Sequence, residues 1–378
     1  MKANIESAVL LLLAIGLSAC RPGVAGGGCL YDEGGLTVVD LHGSWHQMGV
    51  QYGGLVKDRL EDELEYIGRR LGEDSLRVAA ADGIADSLYA NYPVYLKSFF
   101  DGAAESSGLS LEQLKMCNAV EYIEGEFLCS AFAAGEGYAK DKLVFGRNYD
   151  AASYSEIDRD IVLTVYHPDG GIAAATVGYA GEIYCVNGFN AEGIFIELNN
   201  GMPSAGYGVH WELCPSTTGL FEMLFKAGSL DDVDDFFKST SSSISVTIGV
   251  ADKHEARSYE WCYDGVRRGD GMTDKGLMVS TNHYVNDGWG FPIPGDAESW
   301  NSITRRSNLL DMAERHKGSI DVEMMKEIMS TSIEDGGPAH FLTRYQIVAV
   351  PEDMSLNIFV PCVGDWVEVD LEEYFKIR

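Results

Sequence analysis

Between about residues 40 and 127 the apolar positions do not alternate. They recur every three to five residues. Met48, Tyr52, Leu55, Leu60, Leu64, Ile67 and Leu71 form one stripe with Asp, Glu, Lys and Arg between them, which predicts an amphipathic helix of several turns. A second helical pattern runs through IADSLYANYPVYLKSFFDGAAES, where Pro93 starts a new helix or kinks the existing one. Ser110 with Gln113 is a capping box that opens a third, LEQLKMCNAVEYI. At Cys129 the texture changes to short β-branched and aromatic runs separated by turn residues: KLVFGRNYD, DIVLTVYH, EIYCVNGFN, GIFIELNN, ISVTIGVAD, RSYEWCYD, GLMVSTNH, YQIVAVPED and LNIFVP. Amphipathic helices intervene near 217–239, 300–316 and 321–332. Consecutive strands interspersed with helices predict an α+β layered sandwich of antiparallel sheets covered by helices.

The first residues are read apart from the fold. AVLLLLAIGLSAC is an apolar run ending in small residues and a cysteine, and reads as an export signal too short to remain as a membrane span. Leu17-Ser18-Ala19-Cys20 resembles a bacterial lipobox, which makes Cys20 the lipid-bearing first residue of the mature protein. RPGVAGGG then reads as a flexible tether. The expected organisation is a signal peptide over 1–19, a lipidated tether over 20–39, a helical segment over 40–128 and a catalytic chain over 129–378. The expected location is the bacterial cell envelope, with a membrane contact made through the N-terminal lipid.

Composition excludes several classes. The net charge is −30, which repels polyanions and argues against nucleic acid as a partner. Eight cysteines stand at 20, 29, 117, 129, 185, 214, 262 and 362 without a CxxC pair, which argues against a zinc ribbon and leaves any disulfide pairing open. The eight histidines form no HExxH and no close pairs, so no metal or cofactor is expected.

Cys129 opens the first strand after a helical segment, where cleavage of Leu128-Cys129 would make it a new N-terminus. It would then carry a thiol and an α-amine, whose ordinary pKa of about 7.7–8.0 suits a general base at neutral pH. One residue would supply both nucleophile and base. The competing reading is a buried core cysteine, the common fate of a lone Cys.

Five fragments, in order, decide between these. GSWHQMGVQYGGLVKDRL, CSAF with FGRNYD, GFNAEGIFIELNN, STNH (Ser280 to His283) and SWNSITRR together resemble the acyl-coenzyme A:6-aminopenicillanic acid acyltransferase family, relatives of choloylglycine hydrolases and penicillin V acylases among the N-terminal nucleophile hydrolases. The resemblance implies a four-layer αββα sandwich preceded by a helical α-chain segment. It implies Cys129 as nucleophile and Leu128-Cys129 as the self-cleaved bond. Asp150 would hydrogen-bond the α-amine, Arg147 would favour the thiolate, and Asn282 would donate to the oxyanion. Asn199 would serve the oxyanion or the amine, and Arg305, or neighbouring Arg306, would be the late active-site arginine. Read singly, Asp150 and Asn148 could terminate a strand, Asn190 and Asn199 could be hairpin residues, and Arg305 with Arg306 could be a solvated helix face. The chain departs from the family in Leu128, where the penicillin branch has Gly, and in Ser130, where Thr is usual.

The expected activity is hydrolysis of a linear C–N bond in an N-acylated small molecule through an acyl-thioester on Cys129, with the α and β pieces staying associated and a homo-oligomer left open. The alternatives are acyl transfer to an amine, which the lack of a basic phosphate cradle for coenzyme A disfavours, and a surface lipoprotein that binds an amphipathic ligand without turnover. The acyl group and the amine are not legible.

Overall fold

The computed structural model describes residues 21–22, 27–124, 128–152, 157–269 and 276–376. The signal segment and Cys20 lie outside the described residues.

Strands β1 (Arg21–Pro22), β2 (Cys29–Glu33) and β3 (Leu36–Gly43) come first. Helices α1 (Trp45–Leu55), α2 (Lys57–Leu71), α3 (Ser75–Ala90), α4 (Val94–Ser107), α5 (Leu111–Cys117) and α6 (Val120–Glu124) follow. Next are strands β4 (Ser130–Ala134), β5 (Val144–Asp150), β6 (Ile161–Pro168), β7 (Ala174–Tyr179), β8 (Asn187–Asn190) and β9 (Phe195–Asn200), then helices α7 (Met202–Ala205), α8 (Ser216–Leu224) and α9 (Leu230–Ser239). Strands β10 (Val246–Ala251), β11 (Ala256–Cys262), β12 (Gly265–Arg268) and β13 (Leu277–Ser280) precede helices α10 (Ser302–Arg315) and α11 (Val322–Ser330). Strands β14 (Thr343–Val350), β15 (Ser355–Phe359) and β16 (Trp366–Asp370) and helix α12 (Leu371–Lys376) end the described chain. No helix among these residues is long and apolar enough to cross a membrane.

The strands form a ten-stranded sheet, β1-β2-β3-β6-β7-β8-β9-β10-β11-β12, and a six-stranded sheet, β13-β4-β5-β14-β15-β16. Alternation along β4 and β5 assigns their two faces. Ala131, Ala133 and Phe145 turn toward the larger sheet, where Phe145 meets Phe195 of β9 with ring centroids 4.9 Å apart. Phe132, Ala134 and Val144 turn outward onto Leu309 and Met312 of α10 and Met325, Ile328 and Met329 of α11. Trp45 of α1 packs on Tyr166 of β6 and on Phe221 of α8, covering the far side of the larger sheet. The fold is therefore a four-layer αββα sandwich.

Three expectations are corrected here. The tether expected over 20–39 contains β2 and the first half of β3, and Leu36, Val38 and Val39 are buried. The helical segment expected from residue 40 begins as strand, because the β-branched TVVD run carries β3 on to Gly43 before Ser44 and Gln47 cap α1 reciprocally. The single helix expected across 48–71 is two, divided at Val56. Pro93 starts a new helix, as the N-cap of α4, and Ser110 with Gln113 closes the capping box of α5.

The glycines of α1 set how closely it crosses α4. A Cβ on Gly49 would lie 2.0 Å from the Phe99 carbonyl oxygen, and one on Gly53 would lie 2.4 Å from that of Ala103. Gly49→Ala therefore forces the helices apart. We expect a loss of about 3 kcal/mol, seen as a fall of roughly 6 °C in the thermal midpoint; an unchanged midpoint would show that the crossing can spread freely.

Candidate active site

Cys129 stands one residue before β4 and shares the alternation of Ala131 and Ala133, so its side chain enters the inter-sheet core, where it is 1% exposed. The Leu128 N–H donates to the Asp150 carbonyl at 2.9 Å, which extends the β4–β5 ladder over the peptide bond in question. Burial pushes the Cys129 thiol up to about 11; Arg147 opposes this and the Asp150 carboxylate adds to it. In the uncut chain the group is a thiol at neutral pH. Arg147 pulls toward thiolate, but desolvation is the larger effect.

Arg147 lies on β5 opposite Ala131 and has no exposed surface. Its guanidinium is fully directed. Nε donates to Asn187 Oδ1 at 2.5 Å, Nη1 to Glu197 Oε2 at 2.8 Å and to Asn199 Oδ1 at 2.5 Å, and Nη2 to the Leu198 carbonyl at 2.7 Å. Glu197, also without exposed surface, is pushed up to about 7 by burial, with Arg147 pulling the other way.

Asp150 ends β5. Its Oδ1 accepts from Thr343 Oγ1 at 2.5 Å, while Oδ2 is buried without a hydrogen-bond partner and lies 4.0 Å from Arg305 Nη1. Burial pushes its carboxyl up to about 6, against the pull of Arg305, the Thr343 hydrogen bond and Arg147. The Ser130 hydroxyl, next to Cys129 in the chain, is a second buried polar atom without a partner. Two such atoms beside one peptide bond are unusual in a folded interior.

Arg305 reaches in from α10. Nη1 donates to the Cys129 carbonyl at 2.7 Å and Nη2 to Asn282 Oδ1 at 2.7 Å. Arg306 instead donates to the Val279 carbonyl at 3.0 Å, so Arg305 is the arginine brought to Cys129. The turn that aims α10 is strained. Trp300 and Asn301 have φ of 55° and 60°, a region non-glycine residues seldom adopt, and the Trp300 carbonyl accepts from Arg305 Nε at 3.3 Å. Asn282 follows β13, the neighbour of β4; its backbone N–H donates to Ser302 Oγ at 2.7 Å and its Nδ2 to the Asn200 carbonyl at 2.9 Å.

Asn199 is placed differently from Asn200. Besides accepting from Arg147, its Nδ2 donates to Glu197 Oε1 at 3.1 Å and to Ser280 Oγ at 3.0 Å, so both of its N–H groups are used in the scaffold. Asn200, on the opposite face of β9, lines a cavity together with Cys129. Asn190 is a hairpin residue whose Oδ1 accepts from the N–H groups of Glu192 and Ile194.

The cavity has a volume of about 60 Å³ and is walled by Tyr149, Val186, Leu198, Met202 and Ile244, with Glu121 and Tyr122 of α6 on the side that precedes Cys129 in the chain. Tyr149 donates to Glu121 Oε1 at 2.9 Å. Burial and repulsion from Glu182 hold the Glu121 carboxyl well above the ordinary range. A larger open cleft of about 670 Å³ does not include Cys129, and its Arg59 and Asp160 face each other at 3.5 Å.

Glu197, Asn187 and Glu121 are site residues that the sequence reading missed. For Glu197 a signal existed, because a carboxylate within the otherwise apolar GIFIEL run needs a buried partner. Glu121 gave none, since a glutamate on a short helix is ordinarily solvated.

No protein-family model matches the chain, and no curated protein matches it. Among solved structures it is similar to an N-acylethanolamine-hydrolyzing acid amidase ortholog from Caenorhabditis elegans, at 17% identity over 59% of this chain and 93% of that one, with a TM-score of 0.45. It is also similar to a variant of the conjugated bile acid hydrolase from Clostridium perfringens, at 13% identity over 65% and 93% of the two chains, TM-score 0.47. Penicillin V acylase from Agrobacterium tumefaciens aligns at 12% identity over 65% and 87%, TM-score 0.47.

Proposed function

We propose that the chain cuts itself between Leu128 and Cys129 and then hydrolyses the amide bond of an N-acylated small molecule. The observation that carries this reading is Asp150 Oδ2, buried without a hydrogen bond at the end of β5, which pairs with β4 directly after Cys129. The uncut chain offers it only the Arg305 guanidinium at 4.0 Å and no hydrogen bond, whereas a freed Cys129 α-ammonium would donate one.

In the cut, Cys129 Sγ attacks the Leu128 carbonyl carbon. A C–S bond forms and the C–N bond breaks, with the departing nitrogen taking a proton. Water then cleaves the thioester, giving the Leu128 carboxyl group and restoring the thiol. In turnover the α-amine takes the thiol proton and the sulfur attacks the substrate carbonyl. The protonated amine passes its proton to the leaving amine, and water releases the acyl group from sulfur. Arg147 supports charge on the sulfur from one side, and Asp150 orients the α-amine. Asn282, pinned by Arg305 and Ser302, is assigned to the oxyanion, a role worth about 3–4 kcal/mol in comparable sites. The chain is proposed to act in the cell envelope, carried on a lipid at Cys20.

Intact-mass measurement of mature protein tests the scheme in one step. It should find a chain of about 250 residues beginning at Cys129 and a lipid-bearing chain beginning at Cys20. Incubation with an N-acyl amide panel should add one acyl mass, labile to hydroxylamine, to the Cys129 chain. A mature protein with Leu128 still joined to Cys129 would remove the basis of the proposal.

Glu121 gives a narrower expectation. Glu121→Leu leaves the Tyr149 hydroxyl without its acceptor in an apolar wall, and should lower kcat/KM about tenfold, or about 1.4 kcal/mol, while leaving self-cleavage complete. Steady-state kinetics beside a denaturing gel separates the two effects.

A further inference from the structure

We propose that Asp40, His42 and His167 hold one divalent transition-metal ion that ties β3 to β6. Strands β3 and β6 form the one parallel pair among the strands of the described residues, and in their register His42 stands directly beside His167. Asp40 lies two residues before His42 and so on the same face. The ligand atoms of the three side chains lie within 4.8 Å of one another. His42 Nε2 is 3.0 Å from Asp40 Oδ2, and His167 Nε2 is 3.0 Å from Asp40 Oδ1.

Those spacings suit an ion. Neighbouring ligands at about 2.1 Å from a six-coordinate centre are themselves about 3 Å apart, and a carboxylate with two imidazoles is a donor set for Zn²⁺, Ni²⁺ or Fe²⁺ rather than Mg²⁺ or Ca²⁺. The carboxylate is 1% exposed while the imidazole side chains are 24% and 13% exposed, which leaves an outer side for water ligands. The rings now stack face to face, centroids 4.2 Å apart and 9° from parallel. An ion lying in both ring planes requires them to turn about χ2, and their partly open edges permit this. The backbone beneath is fixed, because Gln51 accepts from the His42 N–H and donates to the His42 carbonyl, each at 2.9 Å.

The position of the cluster gives the ion a role. Asp40 and His42 precede Leu128 and His167 follows it, so, if the cut proposed above occurs, the ion joins the two resulting chains across their shared sheet. Only this last consequence rests on the proposed function.

The test uses full-length Cys129→Ala protein, a single chain, stripped with EDTA. Zn²⁺ should bind at one equivalent and raise the thermal midpoint by roughly 5 °C, and Ni²⁺ should act similarly, while Mg²⁺ leaves the midpoint unchanged. His42→Ala with His167→Ala should abolish the shift. Should that variant fail to fold, Co²⁺ bound to the unaltered chain gives a second readout: visible d–d bands that Zn²⁺ displaces mole for mole, with imidazole ligation in its X-ray absorption spectrum. Absence of any Zn²⁺ or Co²⁺ binding, or a Zn²⁺ shift that persists in the double variant, overturns the proposal. In cut wild-type protein, EDTA should hasten separation of the two chains in mild urea. A protein that binds Zn²⁺ but is never cut would refute the self-cleavage alone.

Discussion

Cys129→Ala should give a protein that runs as one piece on a denaturing gel and releases no acyl group from any N-acyl amide, a loss of at least about 10⁴-fold in kcat/KM. The size of the effect follows from one residue having two duties. Alanine removes the sulfur that attacks, and because no cut occurs it also leaves the α-amine locked in a peptide bond. The substitution should not cost the fold, since Cys129 lines the small cavity with Tyr149, Val186 and Leu198 and a methyl group fits the same wall. Cys129→Ser separates the duties: a hydroxyl is the weaker nucleophile, so cutting should slow markedly while the freed amine still forms. If Cys129→Ala arrives as two pieces with the same junction, another protease makes the cut and the self-processing scheme fails.

Arg147→Met should be the most destabilising single change in the inner layer, costing about 3–5 kcal/mol at pH 7.5. Methionine fills much of the volume but leaves Glu197 as an unpaired carboxylate with no exposed surface. The sign of the pH dependence can be worked out. Glu197 is raised in the folded chain to about 7, so its favourable contribution is complete below the ordinary glutamate range and is lost as pH rises through about 7. Removing Arg147 raises that carboxyl further and enlarges the penalty at pH 7.5. At pH 5 the carboxyl is already neutral, and the substitution should cost only the hydrogen bonds to Asn187, Asn199 and the Leu198 carbonyl. Urea unfolding of Cys129→Ala with and without Arg147→Met, at both pH values, checks this. Equal losses at the two values would show that the pair is not the source of the strain.

Much of the fold could be read from the chain because its periodicities are strong and local. The β-branched runs after Cys129 coincide with strands such as β5, β6, β9, β10 and β14, and the Ser110 capping box opens α5 where expected. What escaped depends on the partner rather than on the segment. TVVDLHG looks like the end of a tether until β6 lies beside it. The histidines at 42 and 167 look isolated because their proximity comes from a parallel pairing across more than a hundred residues. The two asparagines that end β9 show the limit most sharply. Adjacent side chains on a strand point to opposite faces, so the sequence could place an asparagine near Cys129 without saying that Asn199 would serve Arg147 and that Asn200 would look into the cavity.

The order of strands in the larger sheet also bears on when the proposed cut could be made. Strand β6 is bordered on one side by β3, which lies ahead of Leu128. A polypeptide made only from residue 129 onward would present IVLTVYHP as a bare margin of unsatisfied amides and carbonyls, ready to adhere to its own copies. If the proposed cut at Leu128 occurs, folding must come before it, and two halves synthesised apart would be poor raw material for the finished protein.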